Sequence, residues 1–399
     1  MNKFRVISIV FLLSILLGVN LHAQDMKNTV DGNNAFTFSI FDEINNEEAN
    51  VFFSPYSISS ALAMTYNGAE GKTREEMASV LNFPENKHEL SVGFKRLNEH
   101  LHELQRDDIQ LKVANSLWGE QTYSFRQEFL DINKDYYKAG IRKVDFKNNY
   151  NKAREDINKW VEENTEEKIK DLIPQGMLDA MTKMVLANAI YFKGAWEFPF
   201  DEKKTRQDTF YIYTKCRTKA DFMNRSLTAN YYKDNLAEVL EIPYSGGEIS
   251  MLIVLPQEKY GMEKLESKLD RSLYEKYNKE LSRRQVELSL PKFKITANYE
   301  LSDVLSKLGM KTAFDGDADF SGMTGKKELY ISNIVHKSFV DVNEEGTEAA
   351  AATGVVMRKT SLPPSEKVKF KADHPFIFFI KDNETNSVLF MGRVMNPNE

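Results

Sequence analysis

The sequence contains few of the residues and motifs that usually carry enzyme chemistry. Its 399 residues include one cysteine, Cys216, so no disulfide can form within the chain, and no histidine or aspartate motif surrounds that thiol. Of the six histidines, His100 and His102 are two positions apart on a predicted helix and point in different directions, so they do not suit zinc. Glycine-rich phosphate loops, GxSxG and HExxH motifs are absent. We therefore expect no metal, no cofactor and no enzyme activity.

Long hydrophobic runs are also absent beyond the N-terminus. There, Lys3 and Arg5 precede the apolar-dominated run Val6–Leu17, and a small-residue site ends at Ala23. Because about 20 apolar residues are needed to cross a bilayer, a short membrane anchor is the weaker alternative. We expect residues 1–23 to be a cleaved signal peptide, and the mature protein to be secreted or periplasmic without membrane attachment.

The chain is short of positive charge. It has 53 basic and 59 acidic residues, which gives a net charge of −6. Loss of Lys3 and Arg5 with the signal peptide would leave 51 basic residues against 59 acidic ones, a net charge of −8. Contacts to phosphates require a basic surface, so the composition argues against nucleic acid or an anionic membrane as a general partner.

Hydrophobic and aromatic side chains, in contrast, are plentiful, at 42% and 12% of the sequence, which is enough for a large core. No flexible linker and no internal repeat divides the chain, so residues 24–399 are predicted to form one domain. Helical patterns dominate its first part and strand patterns dominate from about residue 183 onwards. This segregation predicts an α+β fold rather than alternating βαβ units.

Several local patterns are specific enough to test. Thr73–Glu76 reads as a capping box at the start of a helix. Met184–Phe192 is nearly continuous in apolar residues, which predicts a strand buried on both faces. Val286–Ile295 reads as a further strand. Asn188 in the first of these strands and His336 in a later one are polar residues in a predicted sheet core, where each needs a hydrogen-bond partner.

Together, seven blocks in order along the chain resemble the serpins, the serine protease inhibitor superfamily. The resemblance extends over almost all of the mature sequence, and we expect an exported bacterial member. The blocks are Asn50–Met64, Gly68–Thr73, Asn158–Glu162, Asn188–Trp196, Glu344–Gly354, Asp373–Phe376 and Phe390–Val394.

The resemblance implies both a fold and a mechanism. The fold would be an α+β domain with three β-sheets, about nine helices and an exposed reactive-centre loop. The mechanism would be suicide inhibition: a protease forms an acyl-enzyme with the loop, and the cut loop inserts as a strand into the main sheet and traps the enzyme. The alternative is a non-inhibitory serpin that acts as a binding or chaperone-like protein.

The residues of the loop allow a physical test of insertion. Taken alone, the alanine-rich stretch reads as an exposed loop or short helix. In an inserted strand, alternate side chains would face inward. With Thr347 inward, this set has no charge and no proline, and its first four members are small: Thr347, Ala349, Ala351, Thr353, Val355 and Met357. We therefore expect an insertion-competent hinge made of Glu344, Gly346, Thr347, Glu348, Ala349, Ala350, Ala351, Ala352 and Thr353.

The bond that a protease would attack stays open between two positions. Counting from Glu344 as in serpins, and back from the proline pair at 363–364, the resemblance implies Thr360–Ser361, which suits elastase-like proteases. Arg358 and Lys359 lie just upstream, and trypsin-like enzymes would prefer Lys359–Thr360. Elastase-like and trypsin-like serine proteases are the expected targets, with cysteine proteases as a further class, and we expect a monomer.

The resemblance also assigns two groups of residues beneath the loop. One is a hydrogen-bonded shutter under the opening of the sheet, and the other is a breach where the loop first enters: Ser54, Ser57, Asn188 and His336 for the shutter, and Trp196, Lys292 and Glu344 for the breach. Some serpins bind heparin through a basic helix. Here Lys95, Arg96 and Arg106 are interleaved with acidic residues, so we expect no strong heparin site.

Overall fold

A computed structural model describes residues 24–45, 48–213, 216–347 and 367–399 of the chain. Within these ranges there are ten α-helices and fifteen β-strands. The helices are α1 (24–44), α2 (Pro55–Tyr66), α3 (Gly71–Leu81), α4 (Lys87–Glu103), α5 (Gln127–Tyr137), α6 (Phe146–Asn164), α7 (Met262–Glu266), α8 (Arg271–Glu280), α9 (Ser302–Leu308) and α10 (Ser321–Thr324). The strands are β1 (Val51–Phe53), β2 (Ile109–Glu120), β3 (Ile141–Val144), β4 (Met184–Ala195), β5 (Arg206–Tyr213), β6 (Cys216–Lys233), β7 (Ala237–Pro243), β8 (Ile249–Pro256), β9 (Ser282–Pro291), β10 (Phe293–Glu300), β11 (Asn333–Val342), β12 (Gly346–Thr347), β13 (Val368–Lys371), β14 (Phe376–Asp382) and β15 (Val388–Val394).

The strands form two hydrogen-bonded sheets. A six-stranded sheet has the order β10-β11-β12-β4-β2-β3, and a nine-stranded sheet has the order β1-β15-β14-β8-β7-β6-β9-β13 with β5 added at β6. The 18-residue β6 pairs with β5 near its start and with β7 near its end, so it joins two groups of strands into one sheet. The predicted α+β fold is confirmed. The described residues form two continuous sheets where three were expected, because β6 joins two groups of strands, and ten α-helices where about nine were expected.

The six-stranded sheet is covered on both faces. One face of β4 and β11 packs toward the nine-stranded sheet, in a cluster that includes Ile190, Phe192 and Val340. Its other face packs against α6, where Ile157 and Val161 contribute to a separate apolar cluster. Every residue of β4 except Lys193 is buried. The prediction of a strand buried on both faces is therefore confirmed.

Two local predictions were wrong in detail. Helix α3 starts at Gly71, two residues before the expected capping box, and its N-cap makes no side-chain hydrogen bond. The Thr73 hydroxyl instead accepts a hydrogen bond from the backbone N–H of Asp319, 2.9 Å away, so a tertiary contact uses the group that would have capped the helix. The predicted strand Val286–Ile295 is two strands, β9 and β10, separated at Lys292.

Candidate functional site

The candidate site is the end of the six-stranded sheet at which β4 and β11 finish, near Gly194 and Val342; we call this the upper end. There β4 and β11 separate. Below this point the two strands pair in parallel, from Asn333 opposite Val185 to Phe339 opposite Tyr191. Above it, the two-residue strand β12 lies between them and pairs with both. Thr347 lies opposite Gly194 of β4 and Val342 of β11. Gly346 and Thr347 of the predicted hinge therefore already form a strand inside the sheet.

We call the gap between β4 and β11 that β12 occupies the slot. A tight turn brings the chain back into it. Asn343 accepts hydrogen bonds at its side-chain oxygen from the backbone N–H groups of Glu345 (3.0 Å) and Gly346 (3.3 Å), and its own N–H donates to the Gly346 carbonyl at 2.9 Å. A β-carbon on Gly346 would lie 2.0 Å from the Gly194 carbonyl oxygen. Only glycine permits this approach between the two backbones.

Thr347 is fixed by a buried hydrogen bond. Its side chain is fully buried, and its hydroxyl lies 2.7 Å from the hydroxyl of Tyr244. The Tyr244 ring stacks on Trp196 with centroids 4.6 Å apart and planes 9° from parallel. The indole N–H of Trp196 donates to the Asn343 carbonyl at 3.0 Å. Burial raises the pKa of Tyr244 far above its ordinary value, so its hydroxyl stays protonated, and either hydroxyl of the pair can donate.

A buried carboxylate anchors the start of the turn. Glu344 is 6% exposed and lies 2.8 Å from the Lys292 ammonium, and it accepts a hydrogen bond from the Thr205 hydroxyl at 2.7 Å. Burial alone would raise the pKa of Glu344, but the hydrogen bonds from Lys292 and Thr205 outweigh it and lower the pKa. Trp196 binds the neighbouring Glu345 carbonyl through its backbone N–H at 2.9 Å. The three residues assigned to the breach are thus brought together.

The four residues assigned to the shutter also lie together, midway down the same sheet. The Asn188 amide donates to the Ser57 carbonyl (2.9 Å) and hydroxyl (2.7 Å). The Ser54 hydroxyl donates to the carbonyl of Leu389 at 2.6 Å, and it accepts the backbone N–H of Ser57 as the cap of α2. These bonds connect the buried start of α2 to β4 and to β15.

His336 joins the two strands that border the slot. It lies on β11 directly opposite Asn188 of β4, and its Nδ1 contacts the Asn188 side-chain oxygen. Its Nε2 accepts the backbone N–H of Ser54 at 3.1 Å, so the proton of the neutral ring resides on Nδ1 and is donated to Asn188. Complete burial lowers the pKa of His336 to about 3, and the ring is neutral at ordinary pH. This bond must break if β4 and β11 separate.

Three residues of the site were not predicted. The Tyr244 hydroxyl forms a hydrogen bond with that of Thr347, Thr205 binds Glu344, and Asn115 on β2 contacts both Asn188 and Ser57. Asn115 carried a weaker signal than Asn188, because β2 also contains Gln110, Lys112 and Ser116. Tyr244 and Thr205 carried no comparable signal.

Part of the predicted site lies outside the described residues. These are the later hinge residues and the two candidate bonds: Glu348, Ala349, Ala350, Ala351, Ala352, Thr353, Arg358, Lys359, Thr360 and Ser361. In the described ranges no three His, Cys, Asp or Glu side chains are grouped so as to hold a metal ion. No helix described there is both long and apolar enough to cross a membrane.

Comparison with known proteins gives consistent matches over the whole domain. A family model described as serpin (serine protease inhibitor) matches residues 31–397. Human Serpin B3 is 42% identical over 394 residues, covering 93% of this chain and 100% of the relative. The bovine leukocyte elastase inhibitor is 41% identical over 382 residues, with 93% and 100% covered. Human thyroxine-binding globulin complexed with thyroxine superposes with a TM-score of 0.85 at 32% identity, covering 94% of this chain and 100% of that one.

Proposed function

The chain belongs to the serpin family, described as serine protease inhibitors rather than enzymes, and we propose that it is an inhibitory member that traps proteases by loop insertion. The observation that carries this proposal is strand β12. Thr347 is fully buried between β4 and β11, and its hydroxyl lies 2.7 Å from that of Tyr244. Insertion would extend a strand that already has its first residues in the sheet.

The register of β12 determines which residues would become buried on insertion. Gly346 opposite Ala195 and Thr347 opposite Gly194 define an antiparallel pairing with β4. If this pairing continues downward, every second residue shares the inward face of Thr347. The inward positions are then those predicted from the sequence, namely Thr347, Ala349, Ala351, Thr353, Val355 and Met357. All are uncharged, so none brings an unpaired charge into the core.

The opposite face of the inserted strand would meet α6 rather than solvent. The β4 residues on that face, among them Ala187, Ala189 and Tyr191, belong to the cluster under α6. Glu348 would lie at the edge of this region, and the residues below it are small: Ala350, Ala352 and Gly354. Side chains on both faces of the loop therefore fit the covered slot, which an ordinary surface loop would not require.

The hydrogen bonding of the sheet supplies a driving force. Separation of β4 and β11 breaks one parallel ladder that extends from Asn333–Val185 to Phe339–Tyr191. An inserted strand would form two antiparallel ladders in its place, one with each neighbour. The same register would bring Thr353 opposite Asn188 and His336, and its hydroxyl could replace the hydrogen bond that these two residues lose.

A charge in the slot provides the test of this function. We expect wild-type protein to form SDS-resistant complexes with trypsin-like or elastase-like proteases, and Thr347→Arg to be cleaved without forming them. A guanidinium buried against Tyr244 and Trp196 would cost several kcal/mol. Thr347→Val, which is similar in size and uncharged, is the matched control and should still form complexes. Mass spectrometry of the released C-terminal peptide would identify the bond as Lys359–Thr360 or Thr360–Ser361.

The same experiment distinguishes an inhibitory serpin from the alternative, a non-inhibitory one. If neither class of protease forms a complex with the wild-type chain, the inhibitory proposal is wrong and a non-inhibitory serpin remains. Thyroxine-binding globulin, one of the similar structures, is complexed with thyroxine. Complexes that form equally well with Thr347→Arg would instead refute the role of insertion.

A further inference from the structure

A cleft with positively charged walls lies beside the ends of the loop. It has a volume of about 520 Å³ and is bordered by the end of the short 3-10 helix at 202–204, by β6, β9 and β13. Lys369 and Lys371 of β13 are exposed at the cleft, while Phe370 between them is buried in the core. We call this the basic cleft; its cations are Lys204, Arg225, Lys369 and Lys371.

The basic cleft is positive in a chain of net charge −6. Its two acidic residues are both paired with lysines: Asp208 lies 2.7 Å from Lys371, and Glu287 lies 3.3 Å from Lys367. Lys204 and Lys369 have no carboxylate partner among the described residues, and both are exposed. Unpaired cations at one place on an otherwise acidic surface create a local field that attracts negative charge.

The position of the basic cleft relates it to the loop. Lys204 directly precedes Thr205, whose hydroxyl binds Glu344 at the start of the hinge. On the other side of the cleft, β13 begins at Val368, just after the undescribed segment 348–366. The described residues at both ends of the loop therefore adjoin the basic cleft, through Thr205 next to Lys204 at one end and β13 at the other. A protein that engages the loop would have part of its surface above these cations.

We propose that the basic cleft is a docking surface for an acidic surface segment of the target protease, next to the protease's own substrate groove. The proposal rests on the proposed function, because it takes a protease to be the partner that attacks residues 348–366. Charge complementarity at the rim of an interface mainly accelerates association and makes it depend on salt. An extended polyanion such as heparin fits less well, because Asp208 and Glu287 interrupt the cations.

The test compares two trypsins that share a specificity but differ in surface charge. Anionic and cationic pancreatic trypsin both cleave after arginine or lysine, which Arg358 and Lys359 supply. The measured quantity is the second-order rate at which intact chain disappears, at low and at high salt. The variant is Lys204→Glu/Lys369→Glu. The matched control is Lys307→Glu/Lys326→Glu, which changes the net charge equally at the other end of the six-stranded sheet.

We expect the cleft variant to react with anionic trypsin about 10-fold more slowly at low salt, with the difference vanishing at high salt. Cationic trypsin and the control variant should show little change. An equal loss with both trypsins, an equal loss in the control, or no loss would overturn the proposal. So would retention on heparin–agarose that the cleft variant loses without any change in its reaction rate.

This design separates the two proposals. Intact chain is lost both when a complex is trapped and when the chain is only cleaved, so the measured rate includes both outcomes. A chain that is only cleaved, which would refute inhibition, still reports on docking. Conversely, a chain that traps both trypsins at unchanged rates would refute docking and leave inhibition intact.

Discussion

The hydroxyl pair of Tyr244 and Thr347 permits a quantitative test of how the hinge is held. Both groups are buried, and their oxygens are 2.7 Å apart. Tyr244→Phe or Thr347→Val alone would leave one buried hydroxyl without this partner, at a cost of about 1–3 kcal/mol. The double variant replaces both groups by apolar ones of similar shape, which is close to neutral. The coupling energy between the two sites then equals the sum of the two single costs, and we expect it to be at least about 2 kcal/mol.

The assay is urea unfolding of the wild type, the two single variants and the double variant. With a slope of about 3 kcal/mol/M or more for a chain of this size, each single variant should lower the midpoint by up to about 1 M. The double variant should recover most of that loss. Single effects that simply add would refute the reasoning, because they would mean that the two hydroxyls do not stabilise each other and that Thr347 is not held by Tyr244.

Two further predictions concern acid sensitivity and processing. The folded pKa of His336, about 3, lies below its ordinary 6.5, so its contribution to stability is complete above about pH 6.5 and is lost as pH falls toward 3. At pH 5 this loss amounts to about 2 kcal/mol, and the difference in unfolding free energy between pH 7 and pH 5 should shrink by that amount in His336→Gln. We also propose that the protein is exported and processed after Ala23; intact mass of the secreted or periplasmic protein should correspond to a chain that starts at Gln24, and an unprocessed mass would contradict this.

The sequence predicted best those features that depend on local pattern. The apolar run Met184–Phe192 determines a strand covered on both faces, because such a run has no polar side to expose. Thr347 was assigned to the inward set by its small, uncharged side chain, and in the sheet it is fully buried. Asn188 and His336 stood out as polar residues in predicted core strands, whereas the roles of the shutter and breach residues came from family resemblance.

Features that depend on distant partners could not be predicted in the same way. The contact between Tyr244 and Thr347 joins residues 103 positions apart. The predicted capping box at Thr73 was wrong because the Thr73 hydroxyl accepts a hydrogen bond from the backbone N–H of Asp319, 246 positions away. The division between β9 and β10 has a similar origin: the backbone N–H of Lys292 binds the carbonyl of Asp221, and the chain passes there from one sheet to the other. The alternation of apolar residues changes phase at that point, from Val286, Leu288 and Leu290 to Phe293, Ile295 and Ala297, so the sequence did carry a local sign of the break.

The short strand β12 has a kinetic consequence for the proposed inhibition. An acyl-enzyme can hydrolyse, so trapping is a competition between hydrolysis and insertion. For a free loop, the slow event would be nucleation, in which the chain finds the slot and loses conformational entropy before any ladder forms. Gly346 and Thr347 are already paired in β12, so their conformational entropy is lost before any cleavage. Insertion would then proceed by propagation alone, and its rate would be set by how quickly β4 and β11 unzip ahead of the growing strand.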